Sequence, residues 1–345
     1  MSYRFQHHIL RFHKPAKTSR DTLNARDTYY LRVESPDGQH VGWGECAPIW
    51  GLSPESKPEL ESVIARFPEL MKNPEALQSY LDRMPSLKFA LETALLDVVN
   101  GGERHPFIVD LTQPIILNGL VWMDDIPAMI ASCREKVDQR FYTVKFKVGS
   151  FPLEEELAML QAIRSEFSED QLDIRLDANG AYPADQALEI LDRFSRYRIH
   201  SIEQPIRQGQ WEEMARLCEK SPIPIALDEE LIGVNELKQK QQLLDTIRPQ
   251  FIVLKPTLHG GFYGCDEWIA LADERRIQWW ATSALESNIG LNAIAHWFLT
   301  KNNDLPQGLG TGSLYANNIQ SPWVVNKGML LWDEDANWNL QPLER

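Results

Sequence analysis

YTVKFKVG (142–149), LDIRLDANG (172–180), IHSIEQP (199–205), IPIALDEE (223–230) and QFIVLKPT (250–257) are the stretches whose reading decides the fold. Each is a short β-favouring run that ends in a charged side chain. These charged residues, Lys147, Asp177, Glu203, Asp228 and Lys255, are separated by 30, 26, 25 and 27 residues, the length of one strand-plus-helix unit each time. Amphipathic helical patterns fill the gaps: Leu153, Leu157, Leu160, Ile163 and Phe167 share one stripe, and Leu188, Leu191 and Phe194 another. Working outward, PIILNGLV (114–121), IQWWATSALES (277–287) and PQGLGTG (306–312) bring the strand candidates to eight. This alternation predicts an α/β fold, a TIM-type (β/α) barrel. A doubly wound sheet shares the alternation but needs no eighth strand. In a closed parallel barrel equivalent strand ends are neighbours around one mouth, so the five charged residues would converge on a single site.

The first hundred residues have another grammar. RFQHHILRF, DTYYLRVES and GQHVGWGEC read as strands, with Pro36-Asp37-Gly38 as a hairpin turn. Helical patterns follow over 54–72 and 86–99, the second closed by Gly101-Gly102. Strands grouped before helices indicate an α+β module. The expected organisation is an α+β capping domain over 1–110, the barrel over 111–315, and a strand-like segment, 316–345, that packs back on the capping domain.

The chain has 345 residues, 43% hydrophobic and 24% charged, a composition typical of soluble globular proteins. Its formal charge of -14 disfavours a nucleic-acid partner, which needs lysine and arginine to neutralise phosphates. No apolar run reaches the roughly 20 residues of a membrane span, and the N-terminus lacks the apolar core of a secretory signal. A cytoplasmic protein with no membrane partner is expected, its oligomeric state left open. Cys46, Cys133, Cys218 and Cys265 lie far apart and read as packed thiols. GLGTG (308–312) lacks the spacing of a nucleotide-binding loop, His259-Gly260-Gly261 reads as a turn into a helix, and Trp279 and Trp280 read as strand packing.

Three carboxylates on adjacent strands make a hard oxygen cage that suits magnesium, while soft zinc ligands are missing from the pattern. Lys147 and Lys255 flank the cage. Lys145, two residues earlier on the same strand face, supplies a second cation that disfavours the ammonium form of Lys147, as a general base near neutral pH requires. The metal would stabilise the enediolate formed when a carbon beside a carboxylate loses its proton. A charged strand end is usually a helix cap or a solvated loop residue. Five at a constant barrel period are hard to explain that way.

KFKVG, LDANG, IEQP, LDEE, VLKP and SALES together resemble the muconate-lactonising subgroup of the enolase superfamily, over essentially the whole chain. The resemblance implies that Asp177, Glu203 and Asp228 bind magnesium, with manganese as a substitute, and that Lys147 and Lys255 face each other across a small carboxylate substrate. Asn179 and Glu229 would support the metal. GECAPIWGLSPES (44–56), SALESNIGL (283–291) and GLGTGSLYANNI (308–319) are similar to subgroup members that dehydrate a cyclohexadiene carboxylate in menaquinone biosynthesis. By that resemblance Leu52 and Ser53 lie on a capping loop, and Ser283, Glu286 and Ser287 approach a substrate carboxylate. N-acylamino acid racemisation or dipeptide epimerisation is the alternative, although the eighth-strand stretch lacks the acidic pair that dipeptide epimerases use. A muconate-type cycloisomerase ranks third. A non-catalytic binding module would have lost one of the five polar positions, and all are present.

Overall fold

The computed structural model describes residues 1–17 and 22–343. Strands β1 (Ser2–Lys17), β2 (Thr22–Glu34) and β3 (Val41–Cys46) form an antiparallel sheet in that order. The β2–β3 turn closes where Pro36-Asp37-Gly38 predicts it, with Gly38 at φ +71° and Ser35 N donating to His40 O at 2.9 Å.

The helix expected over 54–72 is two, α1 (Lys57–Ala65) and α2 (Phe67–Leu70), because Pro68 has no amide hydrogen with which to continue the ladder. A short helix that the periodicity did not single out follows, α3 (Pro74–Leu81), started by Asn73, whose side chain accepts from Ala76 N at 3.2 Å. Helix α4 (Pro85–Val99) ends at Gly101 and Gly102, both with positive φ, and Gly102 N donates to Asp97 O at 2.7 Å.

Gly42 and Gly44 lie on one face of β3, and Ala90 and Ala94 lie one turn apart on α4. A Cβ on Gly44 would stand 1.9 Å from Ala90 O, and one on Gly42 would stand 2.1 Å from Ala94 O. The glycines therefore let the helix rest on bare strand backbone. This seam joins the sheet to α4 and buries Leu31, Val33, Leu87 and Leu91 in the first core.

After β4 (Ile115–Ile116) the barrel begins: β5 (Asn118–Val121), α5 (Ile126–Asp138), β6 (Thr143–Lys147), α6 (Leu153–Glu166), β7 (Asp173–Asp177), α7 (Ala184–Ser195), β8 (Ile199–Glu203) and α8 (Trp211–Lys220). It continues with β9 (Ile225–Leu227), α9 (Leu237–Ile247), β10 (Phe251–Leu254), α10 (Gly261–Glu274), β11 (Gln278–Ala281) and α11 (Asn288–Leu299). Among the described residues β5 to β11 form one parallel sheet in chain order. The eighth strand is reduced to a pair of bridges. Gln307 pairs with Leu117 and Gly308 with Thr282, which closes the barrel between its first and last strands. A Cβ on Gly308 would stand 2.4 Å from Thr282 Oγ1, which is why this closure uses glycine.

Inside the barrel Val253, Ala226 and Trp280 form an apolar floor, over which the Arg175 guanidinium stacks at 4.0 Å from the Trp280 ring. Trp279 points outward against Trp297 and Phe298. In the tail, β12 (Trp323–Asn326) and β13 (Met329–Trp332) form a hairpin that pairs with β4. The tail reaches the N-terminal sheet on both sides of this hairpin: Ile319 before it and Trp338, Leu340 and Leu343 beyond it pack with Tyr30 and Trp43, and Ala316 N donates to Arg11 O at 2.8 Å. All four cysteines are buried and unpaired, and no helix among the described residues is long and apolar enough to cross a membrane.

Gly44→Ala should lower the unfolding free energy by about 1–3 kcal/mol or more, since α4 must shift to admit the methyl group. A urea melt of the purified variant measures this, and an unchanged midpoint would show that the close seam is dispensable.

Candidate active site

Strand register brings the charged residues together. Lys147 pairs with Asp177 across β6 and β7, and Asp177 with Glu203 across β7 and β8, so all three stand at one height. Asp228 and Lys255 follow the last residues of β9 and β10 at the same C-terminal rim. Lys145 lies two residues below Lys147 and faces the same way.

Oxygens of Asp177, Glu203 and Asp228 all lie within 4.8 Å of one another, and all three side chains are buried. Lys147 Nζ donates to Asp177 Oδ2 at 2.6 Å and to Asn179 Oδ1 at 3.0 Å. Lys145 Nζ reaches Glu203 Oε2 at 2.7 Å and the same Asp177 oxygen at 3.2 Å. Lys255 Nζ meets both oxygens of Asp228, at 2.6 and 2.5 Å. The two ends of the array are lysines, with three carboxylates between them.

Burial alone would depress the Lys145 ammonium, but the charges of Glu203 and Asp177 outweigh it and hold the group above the ordinary lysine range. The same contest raises Lys255 through Asp228. Asp177, against the cost of burial, is drawn well below the usual carboxylate range by Lys147 and Lys145, and Asp228 is drawn down by Lys255. Glu203 moves the other way, because burial and the neighbouring Asp177 and Asp228 charges exceed what Lys145 returns. Its Oε1 is buried with no hydrogen-bond donor. An unsatisfied anionic oxygen facing two other hard oxygen donors fits a divalent cation.

The backbone bends sharply just after two of these acids. Asn179 takes φ +46° and Gln204 φ +37°, conformations that cost side-chain-bearing residues energy and that cluster at functional sites. Gln204 stabilises its turn by accepting from Asp228 N and Glu230 N, each at 3.2 Å, and by donating to Glu230 at 2.9 Å. Asn179 donates to Glu229 Oε1 at 2.9 Å, so Asn179 and Glu229 connect β7 to the loop after β9. His259 accepts from Lys255 N at 3.0 Å, and burial pushes its ring down to about 3, leaving it neutral. The turn expected at His259-Gly260-Gly261 is present, with both glycines at positive φ.

The loop after β11 is tied on every side. Glu286 accepts from Ser283 Oγ at 2.7 Å and from Thr257 Oγ1, which links it to the loop that follows Lys255. Leu285 turns at φ +64°. Ser287 is fully buried and faces away from the acids: its hydroxyl donates to Glu45 Oε2 at 2.6 Å and its amide to Glu45 Oε1 at 2.8 Å. Gly290 N donates to Glu45 as well, at 2.8 Å, so a carboxylate from β3 caps the N-terminus of α11. Leu52 and Ser53 lie in a turn where both amides donate to Ile49 O and Ser53 Oγ accepts from Ile49 N at 2.8 Å.

Residues 128–335 match the family described as Enolase C-terminal domain-like. The chain belongs to the enolase superfamily. Within it, the o-succinylbenzoate synthase of Desulfotalea psychrophila is 42% identical, over 96% of this chain and 98% of that protein. The o-succinylbenzoate synthase of Thermosynechococcus vestitus is 30% identical, over 82% and 84%. The crystal structure of MenC from Desulfotalea psychrophila superposes with a TM-score of 0.81 at 38% identity, covering 96% of this chain and 99% of that one. The capping sheet, the helices on it and the parallel barrel thus form an enolase-superfamily architecture.

Sequence reasoning missed Arg26, Asp27, Glu45, Gln204 and His259. Gln204 alone left a signal, its place in IEQP directly after an acid of the array. His259 acts on Lys255, four residues away, whereas Arg26, Asp27 and Glu45 act across the chain, where spacing carries no information. Asp27 anchors the capping loop by accepting from Trp50 Nε1 at 2.7 Å and Lys57 Nζ at 2.8 Å. Partial burial would raise its carboxyl, but hydrogen bonds from Lys57, Trp50 and His7 bring it to about 2.

The folded value of Asp27 is depressed, so its contribution to stability is complete above the ordinary aspartate value of about 4 and is lost as pH falls through about 2. Urea melts across this range should show a shallower acid limb for Asp27→Asn than for the parent. Parallel limbs would remove Asp27 from the acid response.

Proposed function

We infer that the chain catalyses the reaction of o-succinylbenzoate synthases: loss of water from a hydroxylated cyclohexadiene carboxylate to give 2-succinylbenzoate in menaquinone biosynthesis. The observation that carries this reading is the buried array Lys147, Asp177, Glu203, Asp228, Lys255 in a chain 42% identical to such an enzyme. It makes the protein a carbon–oxygen lyase acting on a small carboxylate.

Asp177, Glu203 and Asp228 are proposed to hold magnesium, with manganese able to replace it. When bound, the ion supplies positive charge to the substrate carboxylate and lowers the cost of the negative charge that proton loss creates. Lys147 takes the proton from the carbon beside the carboxylate. The electrons of that C–H bond enter the ring, the C–O bond breaks, and Lys147 returns its proton to the departing hydroxyl, which leaves as water. Lys145, fixed by Glu203 and Asp177, keeps a positive charge beside Lys147. Lys255 stands at the far end of the array and presents its ammonium to the other face of the ring, a contact worth about 0.5–2 kcal/mol. Asn179 and Glu229 position the turn behind the acids. Leu52 and Ser53 cover the substrate from the capping side, and Ser283 with Glu286 receives its second polar group; Ser287 supports that loop through Glu45.

The epimerase alternative needs an acid near the closing bridge to hold an amino group, and residues 306–317 contain none. Buried unpaired thiols suit a reducing compartment, and we place the enzyme in the cytoplasm.

Purified protein supplied with magnesium should abolish the ultraviolet band of the diene. No change under conditions where a known synthase acts would sink the assignment. Lys147→Ala should lower kcat about 100- to 10,000-fold, the usual contribution of general acid–base catalysis, while calorimetry shows magnesium still binding. Glu203→Gln should instead lose magnesium affinity. If the Lys147→Ala protein turned over at the parent rate, another group would be the base.

A further inference from the structure

Arg26 lies on β2, far in sequence from every residue of the array, yet it is only 7% exposed and holds four backbone carbonyls. Its Nη1 donates to Leu285 O at 2.6 Å and to Ala284 O. Its Nη2 donates to Pro48 O at 3.3 Å and to Ala47 O. One guanidinium therefore joins the loop after β11 to the start of the loop that carries Leu52 and Ser53. Neither loop is held in a sheet. The barrel loop turns at Leu285 with φ +64°, its carbonyls accept from Arg26 of the capping domain, and Tyr315 OH, from the end of the barrel, also donates to Leu285 O at 2.6 Å.

We propose that Arg26 is a positioning residue for the substrate: a planar clamp that sets the separation between the capping loop and the barrel loop. Geometry makes arginine suited to this place. Its two terminal nitrogens point in fixed, diverging directions, so each serves a different loop, whereas lysine brings one compact nitrogen with three donors, too few for the four carbonyls held here. Glu45 complements it from the same small domain by holding the first turn of α11. Glu45 fixes the helix, and Arg26 fixes the loop that leads into it. The two loops then move as one body, and the separation between them stays constant. This rests on the function proposed above in one respect, that the two loops face the same substrate.

Arg26→Lys tests the clamp. KM for the diene should rise about tenfold or more while kcat stays within about threefold, because the array itself is untouched. Millimolar guanidinium should bring KM of Arg26→Ala back toward the parent value. Hydrogen exchange gives a readout independent of turnover: in Arg26→Lys the amides of Leu52 and Ser53, and that of Leu285, should all exchange faster. A folded Arg26→Lys protein with parental KM, or faster exchange in only one loop, overturns the proposal. Should neither variant fold, native-state exchange on the unmodified protein decides, since clamped loops must open with the same urea dependence and independent loops open with different ones. Absence of diene turnover by the parent protein would overturn the proposed function and leave the exchange comparison standing.

Discussion

Three carboxylates confined within 4.8 Å of one another in a buried mouth repel, and the protein around them is organised to contain that repulsion. At an effective dielectric of about 20, two unit charges 4 Å apart interact by about 4 kcal/mol, so the cluster would not survive without compensation. Lys145, Lys147 and Lys255 supply it, each paired to an acid of the array at 2.7 Å or less. The compensation is uneven: Asp177 and Asp228 are drawn down by their lysines, whereas Glu203 is raised and retains an oxygen without a donor. That imbalance concentrates the demand for a cation at the centre of the row. The strained turns at Asn179 and Gln204, held by Glu229 and Glu230, keep the acids from relaxing apart.

The capping domain answers a different need. A barrel mouth open to water would screen these charges, and a cover serves only if its position is definite. The close seam of Gly42 and Gly44 against Ala90 and Ala94 makes the small domain rigid. Glu45 and Arg26, one carboxylate and one guanidinium, then connect it to the loop and helix that follow β11. Arg26 ends on backbone carbonyls, and Glu45 on the amides of Ser287 and Gly290 together with the Ser287 hydroxyl, so position is specified chiefly through the backbone of the segment they hold. The tail adds a third link where Leu343 reaches Tyr30 and Trp43.

Most of the barrel was legible because its information is periodic. Strand, helix and strand recur at intervals of 25 to 30 residues, and the polar residue at each strand end marks the same rim. Periodicity overstated regularity in two places. The eighth strand is only the pair of bridges at Gln307 and Gly308, and one apparent helix is divided ahead of Pro68. Helix α3 was overlooked because eight residues carry too little pattern to stand out. Ser287 was read with Ser283 and Glu286 as one polar cluster, yet the helix that begins at Asn288 turns its hydroxyl toward β3.

The sequence by itself determined the barrel and the membership of the array, since repeat length and residue type are local properties that a parallel sheet converts directly into neighbours. Only the tertiary structure decided which acid lacks a full complement of partners, where Glu45 directs its charge, and that Arg26 spans two loops. The last two outcomes depend on the meeting of segments more than 200 residues apart, and the direction in which a buried side chain satisfies its hydrogen bonds is set by whatever packs against it, not by its neighbours along the chain.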